Sequence, residues 1–138
     1  MNETLSKAEK AQELFKSGYN CSQAVLAVFC EELGLDLETA MKISSSFGGG
    51  MGRMKEVCGT VTAMFMAAGL AYSTPDNNKA EQYKIIQELA QKFKDRNETI
   101  ICRDLAKVPC PKLVADSVEI FEEYLKEHKP LVTDSQKV

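Results

Sequence analysis

Tryptophan is absent from these 138 residues, and histidine occurs once, at His128. A single histidine, placed near the end of a helix where a cation suits the dipole, leaves no basis for a histidine triad or a histidine-rich zinc site. No run of β-branched residues alternates with polar ones, so the strand signal is weak throughout. The longest weakly polar stretch, Val57 to Tyr72, is too short and too rich in Gly, Ala and Thr to read as a membrane span. The opening MNETLSKAEKAQELF is charged and lacks the apolar segment of a secretory signal. No basic cluster stands out and the net charge is −3, which removes the electrostatic support that a nucleic-acid partner needs. A cytoplasmic protein with neither membrane nor nucleic acid as partner is the expectation. Cys-x-x-Cys is also missing, so neither a zinc ribbon nor a thioredoxin-type pair is present.

What is there is helical spacing. Apolar residues are 44% and charged residues 27% of the chain, ordinary values for a globular protein, and the length suits one domain over residues 1–138. A first helix is expected from about Thr4 to Ser17, ended by Gly18. A second starts at Asn20, where Asn20 and Gln23 read as a capping box, and stops at Gly34. A third covers about Asp36 to Ser46 and gives way to a loop from Gly48 to Lys55. A fourth begins near Glu56. It carries small residues on several sides, which allow close approach of its neighbours, so Val57 to Ala71 is expected at the centre of the fold. A fifth runs from about Asn77 to Arg96. A sixth, with Pro111 at its first position, runs to about His128. An irregular stretch, Asn97 to Cys110, joins the last two, and a polar tail follows from about residue 130. The fold class read from this pattern is an all-α, single-domain bundle of five or six helices.

Five cysteines stand out against this background. In a reducing compartment they point to metal or redox chemistry more than to a disulfide framework. Cys21, Cys58, Cys102 and Cys110 each fall at or near an expected helix start. There, free N–H groups and the helix dipole favour an anion, and thiolate is the form that attacks disulfides or binds metals. Cys30 lies nine residues after Cys21, roughly 13 Å along the same helix and on its opposite face. It reads as a small core residue that stays apart.

Three segments carry a resemblance. They are Tyr19-Asn20-Cys21-Ser22-Gln23-Ala24-Val25; then Phe47-Gly48-Gly49-Gly50-Met51-Gly52-Arg53 leading to Glu56-Val57-Cys58-Gly59; and Cys102-Arg103-Asp104-Leu105 with Cys110-Pro111-Lys112. In this order the chain resembles the C-GCAxxG-C-C family, whose members have about this length, carry four characteristic cysteines and are described as redox-active. The resemblance implies redox or metal chemistry at Cys21, Cys58, Cys102 and Cys110. The family's Cys-Gly-Ala-x-x-Gly segment reads Cys58-Gly59-Thr60-Val61-Thr62-Ala63 here, which keeps the residues small. The segment between Cys102 and Cys110 is shorter than in many relatives.

The run Gly48 to Gly52 is not a dinucleotide fingerprint, because no strand precedes it. It reads either as a helix cap with a tight loop, or as a nest of N–H groups that works with Arg53 to bind an anion beside Cys58. Arg53 and Gly59 are accordingly candidate cofactor-binding residues. Met64 and Met66 read as core, and Glu31-Glu32 and Glu122-Glu123 as solvated faces. Glu56 could act on a proton at Cys58 or simply suit the helix dipole. Three functions fit. One is a thiol oxidoreductase or redox carrier, with Cys58 as the attacking and most reactive thiolate and a second cysteine to resolve it. Another is a metal or electron-transfer protein whose four cysteines ligate zinc or an iron–sulfur cluster. The third is a helical interaction module whose cysteines are incidental. The partner expected for the first is a redox protein or a small thiol, and a homo-oligomer is compatible with all three.

Overall fold

A computed structural model describes residues 5–131. Six regular helices make up the fold among these residues: α1 (Lys7–Lys16), α2 (Cys21–Ala27), α3 (Leu37–Ser44), α4 (Gly59–Tyr72), α5 (Lys79–Asn97) and α6 (Cys110–Glu127). The fold is all-α, as its periodicity predicts. The expected helical start at Thr4 and the tail beyond residue 131 lie outside the described residues. No helix of the described residues is long and apolar enough to cross a membrane.

Local chemistry sets the helix starts. Ser6 and Glu9 form a capping box at α1, and Asp36 caps α3 by accepting from the Thr39 N–H. The box read at Asn20 is present: the Gln23 N–H donates to Asn20 Oδ1 at 3.0 Å, and the Asn20 N–H donates to Gln23 Oε1 at 3.1 Å. α2 is shorter than its apolar pattern predicts. Regular helix ends at Ala27, and the chain tightens into a 3₁₀ turn at Glu31–Leu33. Gly34, at φ +93°, then lets the Leu35 N–H reach back to the Cys30 carbonyl at 2.9 Å.

The core is one cluster. Phe29 of the α2 extension meets Phe121 of α6 edge-on, with ring centroids 5.0 Å apart, and Leu26, Met64, Leu89 and Phe93 are fully buried around them. α4 packs against α2, α5 and α6, while α2 touches α1, α3, α4 and α6. The centre is therefore shared between α4 and α2. One side of α4, with Phe65, Met66 and Leu70, is only partly buried.

A buried carboxylate joins α5 to α6. Asp116 accepts from Asn97 Nδ2 at 3.1 Å, from Lys112 Nζ at 2.6 Å and from Arg96 at 3.1 Å. These donors hold its carboxyl below the usual range against the opposing effect of burial. The network pins both ends of the segment between α5 and α6, which carries Cys102 and leads into Cys110.

Candidate functional site

Each of the four singled-out cysteines is held by backbone chemistry of its own. Cys21 is the first residue of α2, directly after the Asn20 cap. Asn20 Nδ2 donates to the Ser45 carbonyl at 2.9 Å, which ties this helix start to the end of α3. Cys110 is the first residue of α6, not its cap: Pro109 occupies the cap position and Pro111 follows in the first turn.

Cys58 and Cys102 are positioned by a short extended pairing that helical periodicity does not reveal. Val57 and Ile101 face each other in an isolated antiparallel bridge. The Cys58 N–H donates to the Ile100 carbonyl at 2.8 Å, and the Cys102 N–H to the Glu56 carbonyl at 2.6 Å. This pairing draws Val57 out of the helix expected to begin near Glu56, so α4 starts at Gly59 and Cys58 is its cap residue. Residues flanking a bridge pair share the opposite face of the ribbon, so Cys58 and Cys102 lie diagonally on one side. Such neighbours are ~7–8 Å apart, just beyond the ~4.4–6.8 Å Cα range of a disulfide. Cys102 then opens a 3₁₀ turn, Cys102–Leu105.

The loop between α3 and the bridge is compact. Gly48–Met51 makes one distorted turn, with Gly49 and Gly50 at φ +68° and +75°, and Met51, Arg53 and Lys55 are also left-handed. The N–H groups of Met51 and Arg53 donate to Phe47 and Gly48 carbonyls, and those of Lys55 and Glu56 to Gly49 and Gly50. These donors are spent inside the loop, so the tight-cap reading describes it better than the anion nest does. Two glycines are there for closeness. A Cβ on Gly50 would stand 2.7 Å from the Cys102 Cβ, and a Cβ on Gly59 would stand 2.7 Å from the Cys21 sulfur. Gly59, proposed from sequence as a cofactor contact, is the residue that lets the Cys21 sulfur approach the start of α4.

All four cysteines line one open cavity of about 550 Å³. Its walls are apolar at Phe15, Leu105, Val108 and Leu113, and three cations stand in them: Arg53, Lys55 and Arg103. Cys30 does not line it; it is fully buried, with Sγ 3.5 Å from the Ala27 carbonyl. All five cysteines are free thiols.

The four differ in access. Cys21 and Cys58 are buried at the floor, Cys102 is half-buried and Cys110 exposed. Burial pushes the Cys58 thiol up to about 11, against the partial opposition of the Thr60 hydroxyl, 3.1 Å from Sγ, and of the Thr60 and Val61 amides. Desolvation thus opposes the helix-start effect expected to favour the Cys58 thiolate. Cys110 is also raised, first by its seat in the cavity wall, then by Cys21 and Cys102, with Lys55 opposing.

The donor set suits zinc or an iron–sulfur cluster chemically, but the placement does not. Among the described residues, no three or more of His, Cys, Asp and Glu are grouped so as to hold a metal ion. The remaining sequence readings fall into place around the cavity. His128 is exposed at the end of α6 and stacks on Tyr124, and Met64 is core. Arg53 lines the cavity as a cation, while Lys55, Arg103 and the apolar walls were not singled out from sequence. Adjacency was the available signal, since Arg103 follows Cys102 and Lys55 stands three residues before Cys58.

A family model described as "Putative redox-active protein (C_GCAxxG_C_C)" matches residues 19–124. That span includes every cysteine and all of the cavity except Phe15. No curated protein and no solved structure matches the chain.

Proposed function

The chain belongs to the C_GCAxxG_C_C family of redox-active proteins, and on that premise we propose that it is a thiol–disulfide exchange protein whose outer cysteines, Cys102 and Cys110, meet a small disulfide. The carrying observation is that one cavity gathers four free thiols, two accessible and two buried, and excludes the fifth. A thiolate of the outer pair attacks one sulfur of the substrate. The substrate S–S bond breaks, its leaving sulfur takes a proton, and a protein–substrate mixed disulfide forms. The second outer cysteine attacks the protein sulfur and releases the other half of the substrate as thiol. Two electrons have then passed from two protein thiols to one substrate disulfide, giving one protein disulfide and two small thiols. Cys21 lines the same cavity as Cys110 and Cys58 and provides a route by which exchange carries the oxidation inward.

The metal alternative has suitable ligands but lacks their convergence, and an interaction module gives no reason for four thiols to line one cavity. The test is oxidation of the reduced chain with 2-hydroxyethyl disulfide, acid quench, alkylation and peptide mapping by mass. A Cys102–Cys110 disulfide, or one joining either to Cys21, supports the reading, with Cys30 recovered alkylated. Four alkylated cavity cysteines after prolonged exposure, or a disulfide that includes Cys30, overturn it.

A further inference from the structure

The charge around the cavity is the opposite of the charge on the chain. The protein carries 20 acidic residues against 17 basic ones. Among the described residues, the cavity walls nevertheless contain Arg53, Lys55 and Arg103 and no carboxylate. Glu56 and Asp104 stand next to these cations in sequence, yet neither lines the cavity. All three cations are exposed, as is Cys110. Arg103 immediately follows Cys102, and Lys55 is near enough to Cys110 to oppose the rise of its thiol. Two separate chain segments supply them, brought together by the pairing in which the Arg103 N–H donates to the Lys55 carbonyl at 3.3 Å.

Size and wall chemistry narrow the occupant further. A cavity of about 550 Å³ fits a small molecule. Phe15, Leu105, Val108 and Leu113 offer apolar contact to a carbon skeleton. Cations beside thiols favour a substrate with negative charge close to its sulfur, because opposite charges raise the local substrate concentration and orient its approach.

We infer that the cavity selects a low-molecular-weight disulfide bearing carboxylates near the S–S bond, with Arg53, Lys55 and Arg103 as the residues that recognise them. The inference rests on the thiol-exchange reading and names its substrate class. The chemistry is the balanced exchange already written: one carboxylate-bearing disulfide in, two carboxylate-bearing thiols out, and one disulfide left on the protein.

The experiment compares three small disulfides of different charge on the full-length reduced chain: 3,3′-dithiodipropionate, anionic; 2-hydroxyethyl disulfide, neutral; and cystamine, cationic. Each rate is divided by the rate with the same chain unfolded in urea, which removes intrinsic reactivity. The expected result at low ionic strength is a corrected rate about tenfold higher for the anion than for the neutral compound, lower still for the cation, with the preference shrinking as salt rises. Arg103→Gln and Arg53→Gln each reduce the anion-to-neutral ratio towards one. Lys84→Gln, which removes an exposed cation outside the cavity lining, leaves that ratio unchanged. Equal corrected rates for all three disulfides, or preference for cystamine, overturn the substrate class and leave thiol exchange standing. Failure of every disulfide to oxidise the cavity cysteines overturns the exchange reading and this inference with it.

Discussion

The floor and the mouth of the cavity hold the same chemical group under different physics. At the floor, Cys58 is 4% exposed and Cys21 8% exposed, packed under the start of α4 where Gly59 admits the Cys21 sulfur. At the mouth, Cys102 and Cys110 sit on the rim formed by the α5–α6 segment, beside Arg103 and within reach of Lys55. Every one of the four lies at the start of a helical turn or at its cap. Helix-start placement therefore does not rank the thiols; solvent does. A dipole contributes ~0.3–1 kcal/mol at an exposed site, whereas desolvation alone can shift a fully buried group by several pKa units.

The largest expected effect is on labelling. A thiol at about 11 is thiolate in roughly one molecule in ten thousand at pH 7, compared with a few per cent for an unperturbed cysteine near ~8.5. Steric access widens the gap. In iodoacetamide labelling of the folded, reduced chain, exposed Cys110 and half-buried Cys102 should be modified at least about tenfold faster than Cys58, the raised Cys110 thiol narrowing the gap, with Cys30 slow as well. Equal rates at Cys58 and Cys110, read by peptide mass, would erase the distinction between floor and mouth.

Next in size is the backbone that separates the two levels. Gly50→Ala places a Cβ 2.7 Å from the Cys102 Cβ and 2.8 Å from the Glu56 nitrogen, at a φ of +75°. Left-handed strain and overlap together should cost about 3–4 kcal/mol. Gly59→Ala meets the Cys21 sulfur at 2.7 Å and the Phe47 carbonyl at 2.8 Å, for about 2–3 kcal/mol. Gly69→Ala is the contrast. It lies in the same helix as Gly59 with open space around it, and it should stabilise by about 0.5–1 kcal/mol. Denaturant midpoints of the three variants rank them directly.

The pH dependence of stability sharpens the contrast at Cys58. Its folded pKa, pushed up to about 11 by burial, exceeds the unfolded ~8.5. The folded state therefore holds this proton more tightly. Its stabilisation is complete below pH ~8.5 and is lost as pH rises towards 11, on the order of 3 kcal/mol. Cys30, also raised by burial, acts in the same direction. Tyr72, pushed up to about 12 by burial and by Tyr124, adds to the loss above pH ~10. Urea titrations between pH 7 and 10.5 should show the decline, and Cys58→Ala should flatten it. A flat wild-type profile would mean that the floor is wet.

Much of this was legible in the sequence, for identifiable reasons. Helical periodicity, the Asn20–Gln23 box and the small residues of Val57 to Ala71 are local signals, and local signals give the six helices. Cys30 also stands apart as expected, although regular helix ends at Ala27, short of the continuous helix on which that expectation rested. The pairing of Lys55–Cys58 with Ile100–Arg103 was hidden, because one bridge pair is too short to show a period of two and its partners lie over forty residues apart. Without that pairing, Cys58 reads as a first-turn residue open to the dipole. Burial of Cys58 and the gathering of cations from two segments are tertiary facts that no spacing encodes.

The smallest expected effect concerns what holds the mouth in place. Asp116 binds Asn97 and Arg96 at the end of α5 and Lys112 at the start of α6, so it fixes both anchor points of the segment that carries the outer cysteines. Asp116→Asn keeps the size and part of the hydrogen bonding but removes the charge that two cations address. The expected cost is about 1–2 kcal/mol of global stability. The donors hold the wild-type carboxyl below its usual range. The stability it supplies is therefore complete above the unfolded carboxylate pKa of ~3.9 and is lost as pH falls below it, a loss the Asn variant should lack. A looser anchor should also bring Cys102 closer to Cys110 in labelling rate, while Cys58, held by α4 and the bridge, changes little. If Asp116→Asn instead accelerates labelling of Cys58 as much as that of Cys102, the floor and the mouth open together, and the two levels of the cavity are one cooperative unit.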